Sequence, residues 1–168
     1  HLDPYGSGAD QPLNRLLTVD LTAVASAGAT GTLITYTIPA NTLRANGKIL
    51  RITAWGTKTV ATASAVIQFR MAAAILASFT IAQNADAWKA VILYARTGSN
   101  TQDWIAECVS ADVAGWNGAS VATEGHRECE FGTDAETDTA TIAYDLNVST
   151  INAADTITQE GLLIEILN

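Results

Sequence analysis

A chain of 168 residues, 48% hydrophobic and 7% aromatic, is the size of one domain and can bury a core without help from metals or disulfides. Seventeen acidic residues against nine basic ones give a formal charge of −8. The cations are scattered singly where a phosphate-binding surface needs them clustered, so neither nucleic acid nor an anionic membrane is an expected partner. No apolar run approaches the ~20 residues of a membrane span, and no basic stretch leads into an apolar one, so neither a span nor a leader is expected.

Residues 1–14 carry two prolines, two glycines and no periodicity, and are expected to form an extended N-terminal arm ahead of a single domain, 15–168. The domain opens with Leu17, Val19, Leu21 and Ala23 alternating with polar residues, the period of a half-buried strand. Residues 27–31 read as a small-residue turn, and 33–38 as a strand that Pro39 stops. Asn46-Gly47 marks a reversal before a strand over 49–55. Further strands are expected at 65–71, 74–82, 88–97, 102–110, 139–148 and 162–167, and only the alanine-dense stretch 60–76 is permissive for a helix. The acidic stretch between 123 and 138 reads as loop.

The pattern of about eight or nine strands without βαβ alternation predicts an all-β protein, a single antiparallel β-sandwich of jelly-roll type. The strands at 49–55, 88–97 and 162–167 are apolar on both faces, and a two-layer sandwich covers only one. A partner subunit is the simplest cover for the other, with Trp55, Trp88, Ile92, Tyr94, Leu163 and Leu167 as the expected interface residues.

Chemistry is thinly supported. The chain has two histidines, His1 and His126, and nucleophilic catalysis needs a base within hydrogen-bond reach. His1 and His126 are also the pair that a copper-dependent polysaccharide oxidase would use as a histidine brace, but His1 opens a flexible-looking arm. Glu128, Glu130, Asp134, Glu136 and Asp138 read as a solvated acidic loop; Asp134, Glu136 and Asp138 alternate as Ca²⁺ ligands can, without the glycine and closing glutamate of an EF-hand. Trp55, Trp88, Trp104 and Trp116 can stack on sugars but more commonly serve cores and interfaces. Cys108 and Cys129 lack metal-ligand spacing and are expected as buried free thiols, a bridge remaining open. No catalytic residue, cofactor or metal is therefore expected.

The run from Tyr36 to Gly56, with its IPANTL segment (Ile38–Leu43), its Ala45-Asn46-Gly47-Lys48 turn and its closing Ala54-Trp55-Gly56, resembles a signature of phage virion structural proteins. Two later pieces follow in the same order, Trp88 with Arg96-Thr97-Gly98, and Ala153 to Leu162. The resemblance implies a bacteriophage capsid decoration (cement) protein: a homotrimeric jelly-roll seated on the major capsid protein at the virion surface, stabilising the head. A tail-fibre or spike domain and a carbohydrate-binding module are the alternatives, with the copper oxidase a remote one.

Overall fold

The computed structural model describes residues 15–59, 63–72, 74–83, 85, 87–111 and 126–167. The expected arm, with His1, and Trp116 lie outside the described residues. Among those described there is no helix, and eleven strands form: β1 (Arg15–Asp20), β2 (Val24–Ala27), β3 (Gly31–Ile38), β4 (Ile49–Lys58), β5 (Ala65–Met71), β6 (Ala74–Ile81), β7 (Ala87–Gly98), β8 (Thr101–Ala111), β9 (His126–Asp134), β10 (Ile142–Thr150) and β11 (Thr156–Leu167).

The pairing is nested. The β5–β6 hairpin lies inside the pair β4–β7, which lies inside β3–β10, and β1 and β2 both pair with the last strand, β11. Folding four such antiparallel pairs over one another produces a jelly-roll sandwich. One sheet runs β1-β11-β4-β7-β8-β9 and the other β3-β10-β5-β6. The β8–β9 hairpin is an addition: it extends the larger sheet beyond β7 as a wing.

The core follows from the period of two. Leu50, Ile52 and Ala54 of β4, Ile92 and Tyr94 of β7, and Leu162 and Ile164 of β11 face Ile67, Phe69 and Met71 of β5 and Tyr144 and Leu146 of β10, all buried. Phe69 meets Phe79 edge-on at a centroid distance of 5.9 Å. At the β4 entry, Gly47 takes the positive φ (83°) that the expected reversal requires, and its N–H donates to the Arg96 carbonyl at 3.0 Å.

The strands expected at 65–71 and 74–82 form as β5 and β6, because Ala65, Ile67, Phe69 and Met71 share one buried face. Two local expectations are corrected. In β1, the register against β11 slips between Leu16 and Thr18. That bulge turns Leu17 toward the core and leaves Val19 48% exposed; Leu21, beyond the strand, is 67% exposed. Finally, residues 126–134 form a strand, not a loop.

Candidate functional site: the outer face of the larger sheet

β9 has inverted polarity. Its register with β8 sets His126, Glu128, Glu130, Gly132 and Asp134 on the inner side and Arg127, Cys129, Phe131 and Thr133 on the outer side. The inward carboxylates have partners. Glu130 accepts the Ser78 backbone N–H at 3.2 Å and Glu128 accepts that of Thr80 at 2.7 Å. These are donors of β6, the edge of the smaller sheet, so the two glutamates close one side of the sandwich where no strand pairs. His126 Nε2 lies 2.6 Å from Glu128 Oε1.

The carboxylates farther along also hold structure. Asp138, 4% exposed, receives Arg96 Nε at 2.8 Å and Arg96 Nη2 at 2.7 Å, the Asn100 N–H at 2.9 Å and the Gln102 amide at 3.0 Å. Burial alone would raise its pKa, but these donors outweigh burial and hold it below the usual carboxylate range. Asp134 accepts the buried Tyr94 hydroxyl at 2.8 Å; burial, then that bond, pushes the phenol far above its ordinary value. Glu136 is raised by burial and by its neighbour Asp134. The expected solvated acidic loop is therefore corrected: the Asp134 and Asp138 side chains and the Glu136 backbone fasten the end of β9 and the β9–β10 connection to the β7–β8 hairpin. No group of three or more His, Cys, Asp or Glu among the described residues is arranged to hold a metal.

The outer face of the larger sheet has a different character. In register across it lie Val19, Leu163, Thr53, Val91, Glu107 and Cys129 in one row, and Leu16, Glu165, Arg51, Leu93, Ile105 and Phe131 in the next. Phe131 is 82% exposed, and Leu16, Val19, Ile105 and Val109 are also exposed. Val91, Leu93, Ile105, Glu107 and Cys129 line an open hollow on this face. Arg51 binds Glu165 at 2.6 Å and Arg127 binds Glu107 at 2.9 Å, so much of the charge on the face is satisfied within it.

The expected interface residues divide between the two faces. Trp55, Leu163 and Leu167 are half-buried on the outer side. Trp88, Ile92 and Tyr94 face inward and are buried within one chain, so they cannot line an outer contact; β7 presents Lys89, Val91, Leu93 and Ala95 there instead. Sequence reasoning missed Ile105, Val109, Cys129 and Phe131; the signal was the period-two spacing of Cys129 and Phe131 among acidic residues. Cys108 faces inward, where burial and then Glu128 and Glu107 push its thiol up to about 12, while Cys129 is exposed on the outer side. Both thiols are free, and their opposite directions preclude a bridge. Trp55 faces outward beside Gly161 and Trp104 inward beside Gly132, so these two do not align as a sugar-stacking platform.

No protein-family model matches the chain, and no curated protein matches it. Among solved structures, the EclA C-terminal domain, described as a sugar-binding protein, is 11% identical and aligns over 93% of this chain and 85% of its own, with a TM-score of 0.42. The CBM2 module of the evolved Dit of Lactobacillus casei BL23 phage J-1 is 13% identical over 80% of this chain and 68% of its own, at 0.35. Winged bean acidic lectin, complexed with methyl-alpha-D-galactose, is 9% identical over 91% and 92%, at 0.34. At these scores the alignments carry no argument about ligand or activity.

Proposed function

We propose that this chain is a non-enzymatic structural component of a phage-like virion, a decoration subunit on the capsid surface that assembles as a homotrimer. The observation that supports this reading is how the side chains divide. The carboxylates and arginines that chemistry would need are engaged in holding strands and connections together, while the larger sheet presents an apolar outer face. A group tuned for catalysis sits in a water-excluding cleft with room for a substrate. Asp138 has its lone pairs taken by four donor groups of the fold. The adjoining exposed side chains of Leu93, Ile105 and Phe131 suit a contact with another protein. The resemblance of residues 36–56, and of the 153–162 segment that pairs beside them, supports the virion setting.

Quantitative mass spectrometry of purified particles tests the reading. Decoration requires a copy number comparable with that of the major capsid protein. Absence from particles overturns the virion assignment, and a handful of copies per particle replaces decoration with a tail fibre. Saturable binding in a glycan array would favour the carbohydrate-binding reading instead.

A further inference from the structure

We infer that the outer face of the wing and the central strands, centred on Leu93, Ile105 and Phe131, is covered by a second copy of this chain. The inference names the partner for the surface on which the proposed function rests.

The inverted pattern of β9 is the first argument. An edge strand exposed to water normally turns its apolar residues inward and its charges outward, which also discourages pairing with other chains. β9 instead turns Glu128 and Glu130 inward, to β6, and leaves Phe131 and Cys129 outside. Phe131 stands beside Ile105 and Leu93 in register, so three apolar side chains from neighbouring strands form a continuous exposed strip.

Size is the second. Five strands about 4.8 Å apart, each crossed by nine rows about 3.3 Å apart, with the six residues of β1 beside them, make a face of roughly 800 Å². A stable protein–protein contact buries about 800 Å² from each partner. The face is large enough for a specific contact.

Charge selects the occupant. The chain carries −8, so two copies repel wherever acidic surfaces meet. On the outer face, Arg51, Lys89 and Arg127 stand against Asp103, Glu107, Glu160 and Glu165, and two of these pairs are already bonded. This nearly neutral face lets a like-charged copy approach, whereas a strongly basic partner would be drawn to the acidic remainder of the surface.

The test is light scattering coupled to size exclusion on the intact chain at micromolar concentration, with thiol titration alongside. The inference expects two or three times the chain mass and slow reaction of Cys129, with Cys108 inert in either state. Phe131→Asp and Ile105→Asp, both exposed changes, should yield monomers whose Cys129 reacts at least tenfold faster, with the circular dichroism spectrum unchanged. A monomeric wild type overturns the inference, as does an oligomer in which Cys129 reacts freely and both variants leave the mass unchanged. A monomeric chain still abundant on purified particles sinks this inference and the homotrimer of the proposed function, and leaves the virion assignment standing. A sound oligomer absent from particles sinks only the virion reading.

Discussion

Lys58 Nζ and Asp155 Oδ2 lie 3.6 Å apart with both side chains wholly shielded from solvent. Lys58 also donates to the carbonyls of Gln83 at 3.0 Å and Thr59 at 3.3 Å. The pair ties the end of β4 to the segment leading into β11, where Ile157 sits opposite Lys58. It joins two stretches that the sequence resemblance marks separately, the close of the Trp55-Gly56 strand and the Ala153-Ala154-Asp155 segment. Removing either partner leaves the other buried without this ion pair, at a cost of about 3–5 kcal/mol.

Lys58→Met should therefore lower unfolding stability by about 3 kcal/mol or more, while the double variant Lys58→Met/Asp155→Leu recovers most of the loss. Urea unfolding of the two single variants and the double variant measures the coupling. Additive losses would show that the charges do not depend on each other.

Asp138 sets an acid limit. Its pKa is below that of an unfolded aspartate, about 3.9, so its contribution is fully present above that value and is lost as pH falls through the lower, folded one. Glu136 has the opposite sign: its raised pKa favours the fold at low pH, and that contribution fades as pH rises through the folded value. Urea midpoints measured from pH 2 to pH 6 should fall toward acid, and Asp138→Asn should flatten the acid limb and cost about 2–4 kcal/mol at pH 7. An unchanged acid limb in that variant would remove Asp138 from the account.

Much of the fold was legible because β4, β5, β7 and the second half of β11, from Leu162, obey the two-residue period with strong β-formers, and Pro39 and Asn46-Gly47 mark the corner between β3 and β4. The nested pairing was legible only as a class, since periodicity does not say which strand meets which. β9 escaped because local composition opposes it: glutamates and glycine suggest a loop, and only long-range bonds to Ser78 and Thr80 explain why acids face inward. The interface expectation failed at Trp88, Ile92 and Tyr94 for a related reason. A strand apolar on both faces does not show which side lies inward; the register with β4 and β8 decides that, and it places Val91 and Leu93 outside.

The β6–β9 seam makes its own demand. With Glu128 and Glu130 both changed to Ala, the Ser78 and Thr80 amides lose their acceptors at an edge that no strand covers among the described residues. Hydrogen exchange at those two amides should accelerate at least tenfold, with a stability loss of about 1–3 kcal/mol. Unchanged exchange at both positions would mean that the glutamates are incidental to the edge.

Gln159 is fully buried, and among the described residues neither its amide nitrogen nor its amide oxygen has a hydrogen-bond partner. A buried polar group without partners carries its desolvation cost uncompensated. Gln159→Met keeps the length of the side chain and removes that cost, so it should leave stability unchanged or raise it by about 1 kcal/mol in a thermal melt. A loss above about 1 kcal/mol would show that the amide is satisfied in solution.

Gly161 and Trp55 share one space on the outer face. A methyl group at Gly161 would lie 2.1 Å from the Trp55 ring, far inside van der Waals contact, so any side chain there must displace the indole. The two residues are paired across β4 and β11 immediately after a register shift. Gly161→Ala should cost about 1–3 kcal/mol through this overpacking and should shift the tryptophan emission as the ring moves into water. In a Trp55→Leu background, where the ring that clashes is gone, the same change should cost less than about 0.5 kcal/mol. Equal penalties in both backgrounds would trace the loss to backbone conformation and not to the indole, and would dissolve the argument that Gly161 is small to make room for Trp55.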